Sequence, residues 1–269
     1  MDPTAVDELL GRLCRAADEE LLTRFNRIGA RIKTDGSVVT EADLAMQGRM
    51  QRELAGLFPD YGFLGEEMDP GRRQSQMDRA GAGLWVLDPL DGTSNFVAGI
   101  PYFAVSLALV TDCRVKIAAV YDPARRELFH ALAGEGAWLN GEPLTSEGAA
   151  PSSLRKAIAL VDFKRLPVAL ARRLAEGAPY GSQRSFGSVA LDFCWIAARR
   201  GHLYLHGRHN LWDYAAGLTI LHEAGGQSVT LEGRRQAALD LQPRSTAAAL
   251  DAGLFSEWCA WLGITPGVA

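Results

Sequence analysis

The chain has 269 residues, a formal net charge of −4 and ordinary globular fractions of apolar and charged residues, 48% and 22%. It is long enough for one large or two small domains, and nothing in its charge attracts nucleic acid or an anionic membrane. No stretch approaches the ~20 apolar residues of a membrane span, and Asp2, Asp7 and Glu8 ahead of any apolar run are the reverse of a secretory signal, so a cytoplasmic protein is expected.

Leu10, Leu13, Ala17 and Leu21 recur at helical spacing and predict an amphipathic helix from Val6 to Ile28. A turn cluster follows at Lys33-Thr34-Asp35-Gly36-Ser37, and Thr40-Glu41-Ala42-Asp43 reads as a capping box opening a second helix through Met46, Met50 and Leu54, closed at Phe58-Pro59-Asp60. Trp85 to Leu87 predicts a buried strand ended by Pro89. Alternation at Val105, Leu107 and Leu109, then Val115 to Val120 and Glu127 to Ala131, predicts antiparallel strands. Gly141 to Ser153 lacks periodicity and is the expected boundary between an α+β half, residues 1–145, and an α/β half, residues 146–269. In the second half an apolar run at Ala157 to Val161, helices at Val168 to Ala175 and Ser188 to Arg199, a strand at Leu203 to Leu205, and a helix from Trp212 or Asp213 to Glu223 stopped by Gly225-Gly226 complete a layered α/β order. Cys14, Cys113, Cys194 and Cys259 form no close pair, which argues against a zinc ribbon or a disulfide framework and makes them expected core residues.

The chemistry concentrates in Trp85 to Phe96. Asp88 and Asp91, three apart across Pro89, together with the Leu90 carbonyl, offer the oxygen ligands that hard divalent cations prefer. Gly92 allows close backbone approach to an anion, and Thr93-Ser94 supply amides and hydroxyls at a helix start. The same letters also fit a turn in which both acids only cap backbone. An EF-hand loop is excluded because its twelfth position is Gly99, and an aspartyl-nucleophile phosphatase would place the acids two apart. Glu66 and Glu67 after Phe63-Leu64-Gly65, and Asp213 before Tyr214-Ala215-Ala216-Gly217, are acids at element ends beside small residues, although exposed loop acids and a simple helix cap fit them equally.

Gly65-Glu66-Glu67, Asp88 to Phe96, and Trp212 to Gly217 with Glu223 to Gly226 resemble, in order and spacing, the inositol monophosphatase family over most of the chain. The resemblance implies Mg²⁺-dependent hydrolysis of a small phosphorylated polyol or sugar, a layered αβαβα fold, a homodimer and sensitivity to Li⁺. It also implies two or three Mg²⁺ held by Glu66, Asp88, the Leu90 carbonyl, Asp91 and Asp213, with Glu67 supporting a further ion. Asp43 and Thr93, with Glu66, would orient the attacking water. Gly92, Thr93 and Ser94 would hold phosphate beside Lys33, and Gly187-Ser188-Val189-Ala190 would line the leaving alcohol.

One position departs from that pattern. Inositol-preferring members commonly carry a glutamate seven residues before the last metal aspartate, and His206 stands there, which leaves histidinol phosphate, fructose 1,6-bisphosphate or a nucleotide 3′-phosphate as alternative substrates. His202, His206 and His209 also raise a zinc site, though strand alternation predicts His209 on the face opposite the other two unless a turn intervenes. His130 and His222 are expected in packing or surface roles. A non-catalytic metal-binding interaction protein is the rival class, and loss of a metal acid would be its mark; none of these acids is missing.

Overall fold

In the computed structural model, which describes residues 2–27, 30–32, 38–78, 80–235 and 240–267, the first helix is shorter than its periodicity predicts. α1 (Pro3–Ala17) starts with proline at a position where no N–H is needed and with the Thr4 amide donating to Asp2. A π-helical turn at Asp18–Leu22 follows, the Thr23 hydroxyl turns back to the Glu19 carbonyl, and Asn26 takes a left-handed φ of 62°. The helix is therefore spent before Ile28, which lies outside the described residues. β1 (Ala30–Ile32) and β2 (Val38–Thr40) pair antiparallel. Lys33 and its turn cluster also lie outside the described residues.

After α2 (Glu41–Leu57) the chain lays down β3 (Gly62–Gly65), α3 (Pro70–Met77), β4 (Leu84–Asp91), the short α4 (Thr93–Ala98), and β5 (Ala104–Thr111), β6 (Arg114–Asp122), β7 (Glu127–Leu132), β8 (Gly136–Leu139) and β9 (Glu142–Leu144). These strands form one seven-stranded sheet in sequence order, with β3 parallel to β4 and every other pair antiparallel. The rest of the chain gives β10 (Ile158–Asp162), α5 (Val168–Gly177), β11 (Ser182–Arg184), α6 (Val189–Ala197), β12 (Leu203–His209), α7 (Leu211–Glu223), β13 (Gln227–Val229), β14 (Arg244–Ala249) and α8 (Ala252–Leu262). Its five strands are ordered β11-β10-β12-β14-β13, with β10 parallel to both neighbours and β14 antiparallel to both.

Alternation along the central strands stacks these elements into five layers. Val105, Leu107 and Leu109 point into a core with Leu9, Leu13, Met46 and Met50 of α1 and α2. Ala104, Ala108 and Val110, on the opposite face of the same strand, meet α6 and α7, whose other side meets Leu160, Tyr204 and Ala248 of the second sheet. The outer face of that sheet, with Val161, Leu203 and Ala247, is covered by Leu254, Phe255 and Trp258 of α8. The architecture is the expected αβαβα sandwich, mixed in both sheets. No described helix is long and apolar enough to cross a membrane. Cys194 and Cys259 are core residues as expected and Cys14 is half-buried, but Cys113 is exposed. It occupies the tight β5–β6 turn at a φ of 55°.

The strand expected to end at Pro89 continues to Asp91. Asp88 faces Ser106 and Asp91 faces Ala104, so two residues of β4 oppose one of β5 and the ladder carries a bulge. Pro89, which has no N–H to donate, sits inside it. A matching bulge interrupts β12, where His206 faces Thr246 and His209 faces Arg244.

Candidate active site

The β4 bulge decides where the two central acids point. On a regular strand residues three apart lie on opposite faces. The extra residue puts Asp88 and Asp91 on one face, opposite Ser106 and Ala104, and the Ser106 hydroxyl donates to the Trp212 carbonyl at the start of α7. Both acids therefore look toward the turn that carries Asp213. Asp88 is 2% exposed and Asp91 8%.

Glu66 joins them from the end of β3, where its amide donates to the Leu87 carbonyl. The Glu67 amide donates to Gln47 Oε1 at 3.0 Å, and a Cβ at Gly65 would overlap that glutamine. Gln47, on α2, is a positioning residue that no local motif marks. Asp213 sits in the first turn of α7, where the Asn210 amide donates to its Oδ2 at 2.7 Å. Asp43 has the same station on α2. Its Oδ2 accepts the Thr40 amide and hydroxyl at 2.7 and 2.6 Å, while its Oδ1 faces Thr93 Oγ1 at 3.2 Å. Thr93 Oγ1 is also 2.9 Å from the Leu90 carbonyl, so its single proton serves one of the two acceptors.

The acids act on one another's charge. Burial raises the Asp88 carboxyl well above the usual range, and Glu66, Asp91 and Asp213 push it further. Burial, then Glu66 and Asp91, do the same to Asp213. Asp91 is raised by burial to about 6 even though it accepts from Ser188 and Ala190. Asp43 is raised by burial against its two bonds from Thr40, with Glu67 adding to the rise. Among the described residues no Lys or Arg side chain forms an ion pair with Asp88, Asp91 or Asp213. Carboxylates and a carbonyl, with no soft donor among them, suit a hard divalent cation. The described side chains do not, however, close into a preformed cluster of three metal-ligating groups.

The residues expected to meet the anion and the alcohol lie beside these acids. Gly92 caps α4 at a φ of 90°, and a Cβ there would lie 2.9 Å from the Tyr102 carbonyl, so only glycine fits beside Thr93 and the exposed Ser94. Asp91 Oδ2 accepts the Ser188 hydroxyl at 2.7 Å and the Ala190 amide at 2.6 Å, which brings Gly187, Ser188, Val189 and Ala190 to the acids from the second half of the chain. Asn95, a member of the motif with no role read from sequence, donates to the carbonyls of Tyr102 and Phe186 at 2.8 and 2.6 Å and ties α4 to that segment.

The histidines correct the alternation argument. Because of the β12 bulge, His206 and His209 share a face and stack with ring centroids 5.1 Å apart. His202 stands away from them, its Nδ1 accepting the Ile158 amide at 2.9 Å, so among the described residues the three rings do not form a metal-binding group. His130 stacks on Trp138, and His222 contacts the Ser228 hydroxyl.

A family model described as the inositol monophosphatase family matches residues 2–260. The chain belongs to the inositol monophosphatase family. It is 34% identical over 230 residues to the fructose-1,6-bisphosphatase/inositol-1-monophosphatase of Thermotoga maritima, covering 83% of this chain and 84% of that one. It is also 34% identical over 199 residues to the Nus factor SuhB of Pasteurella multocida, covering 72% of each. The fold matches an IMPase/NADP phosphatase solved with Mg²⁺ and phosphate at a TM-score of 0.83 and 22% identity, over 97% of this chain and 96% of that one. This inositol monophosphatase family member thus keeps the family fold over nearly its whole length.

Proposed function

We propose that the protein hydrolyses phosphate monoesters of small polyols or sugars with the aid of Mg²⁺, by direct attack of water. The observation that carries this reading is the crowding of Asp88, Asp91 and Asp213 with Glu66 beside the Asp43–Thr93 pair. Two carboxylates ~4 Å apart repel by about 4 kcal/mol at an effective dielectric near 20, and a fold keeps such a group where a cation completes it. Glu66, Asp88, the Leu90 carbonyl, Asp91 and Asp213 would hold Mg²⁺, with Glu67 adjoining, and the bound ions would supply charge neutralisation at phosphate and a more acidic water.

The chain's own groups divide the remaining work. The Thr93 hydroxyl, fixed between Asp43 Oδ1 and the Leu90 carbonyl, holds the attacking water with Glu66 and aligns it with phosphorus. Amides at Gly92, Thr93 and Ser94, with the Ser94 hydroxyl, hold the phosphoryl oxygens, and Lys33 belongs to the same reading. Ser188 and the Val189–Ala190 amides, now engaged in part by Asp91, line the alcohol. Inhibition by Li⁺ and a homodimeric, cytoplasmic state are parts of this proposal. So is a division of labour in which residues 1–145 bear the phosphate chemistry and residues 146–269 the alcohol pocket.

The similarity to Nus factors supports a second role as an interaction protein, and hydrolysis does not depend on it. The test is phosphate release from inositol 1-phosphate, histidinol phosphate, fructose 1,6-bisphosphate and adenosine 3′,5′-bisphosphate, with Mg²⁺ or with EDTA. Release that requires Mg²⁺ and falls with added Li⁺ is expected. No release from any ester under Mg²⁺ would falsify the enzymatic reading and leave the interaction role.

A further inference from the structure

At one end of the second sheet a cavity of about 670 Å³ opens between the bulge of β12, the turn after β13 and the residues that lead into β14. None of the acids of the proposed hydrolytic site lines it. Its chemistry is set by arginine: Arg208, Arg234, Arg235 and Arg244 stand against two acids, Glu232 and Asp240, in a chain whose net charge is −4. Among the described residues Arg244 alone of the four has an anionic partner, Asp240 at 2.8 Å. Arg208, Arg234 and Arg235 are exposed, and their guanidinium groups form no ion pair or hydrogen bond with any described residue.

The backbone holds these side chains in fixed places. In β12 the bulge sets Gly207 and Arg208 between the pairs His206–Thr246 and His209–Arg244, so two residues stand against the single Ser245. A Cβ at Gly207 would overlap the Arg165 carbonyl, and the Arg208 amide donates to His206 Nδ1 at 3.2 Å, which leaves the Arg208 side chain to the cavity. After β13 the chain turns tightly at Gly233, whose φ is 81°. The Gly233 amide donates to the Thr230 carbonyl and the Thr230 amide to the Arg234 carbonyl, each at 2.9 Å, while the Arg234 amide donates to Thr230 Oγ1 at 3.2 Å. The Leu231 amide donates to Ser245 Oγ at 2.9 Å and ties this turn to β14. Thr230 and Ser245 are buried, so Arg234 and Arg235 extend from an anchored base.

The lining also limits what it can recognise. No aromatic ring is among the described lining residues, so a nucleobase has no stacking platform there. A cavity of this size suits a molecule of several groups rather than a lone ion. Guanidinium forks take phosphoryl oxygens in pairs, so three unpaired arginines engage more than the three oxygens of one phosphoryl group. We infer that this cavity binds a small molecule carrying at least two phosphoryl groups, gripped by Arg208, Arg234 and Arg235, at a site separate from the acid group.

The probe is inorganic tripolyphosphate, titrated calorimetrically into the full chain in EDTA at low salt, with orthophosphate in parallel. Tripolyphosphate should bind at least ~10-fold more tightly than orthophosphate, and each of Arg208→Ala, Arg234→Ala and Arg235→Ala should weaken it by about tenfold or more, the factor a hydrogen bond to a charged group is worth. All three side chains are exposed, so the variants should melt with the wild type. No binding by the wild type, or binding that the triple variant leaves unchanged, overturns the assignment. Orthophosphate that binds as tightly as tripolyphosphate does so too. A single-stranded RNA oligonucleotide that needs these arginines while tripolyphosphate does not bind would move the site to nucleic acid and equally overturn it. The titration involves no turnover, so its outcome is independent of the hydrolysis proposed above.

Discussion

Asp43 and Asp213 each satisfy a helix start and contribute to the acid group, and Asp43 does so by dividing its two oxygens between Thr40 and Thr93. Capping therefore fixes the rotamer that the proposed chemistry needs, and either residue read alone looks like an ordinary cap. His209 shows the opposite economy. It is 2% exposed, neither ring nitrogen has a hydrogen-bond partner, and burial followed by the neighbouring His206 holds its pKa well below the ordinary value. A histidine kept neutral in the fold takes up a proton more readily when unfolded. Its stabilising contribution is therefore intact above the unfolded pKa of about 6.5 and is lost as pH falls below it. His209→Phe should accordingly lose less thermal stability than wild type between about pH 7.5 and about pH 5, as measured by melting temperature. Parallel losses in the two proteins would show that His209 does not titrate against folding.

At the scale of elements, two bulges and one close helix pair place the site. The bulge in β4 gathers Asp88 and Asp91 on one face, and the bulge in β12 does the same for His206 and His209. Between the sheets, α6 and α7 approach so closely that a Cβ at Gly217 would lie 2.8 Å from the Ala190 carbonyl and 3.1 Å from Phe193 Cβ. Gly217→Val should therefore cost about 1–3 kcal/mol of stability by overpacking, read from urea unfolding, and a neutral effect would contradict the close approach. Strand alternation, the Thr40–Asp43 box and the Gly225-Gly226 stop were legible because each is a local signal. The bulges were not, because register depends on a partner strand distant in sequence: β4 is matched by β5, and β12 by β14 about forty residues later. Gln47 and Asn95 act across twenty and ninety-one residues and left no local mark. α8 did leave one, Asp251 as its cap and Gly263 at a φ of 76° as its stop, and it was still not predicted.

Across the whole molecule, the acids arrive from β3, β4 and α7, and the layer of α6 and α7 between the sheets brings the two halves of the chain together at Asp91. The sequence motifs therefore name the residues of the proposed site, while the layer order explains how they meet. Such a site is held at a cost: buried carboxylates that repel one another destabilise the fold unless a cation or a proton intervenes. Asp88→Asn makes that cost and the chemistry visible together, since asparagine keeps the shape and an oxygen able to accept the Leu90 amide while removing one charge. The decisive measurement is phosphate release from inositol 1-phosphate under Mg²⁺ by wild type and Asp88→Asn, with melting temperatures taken in EDTA. The variant should melt no lower than wild type and yet release phosphate at least ~100-fold more slowly, the scale on which losing one electrostatic group slows catalysis. Wild-type turnover by a folded Asp88→Asn protein would contradict the assignment of this acid group as the catalytic centre.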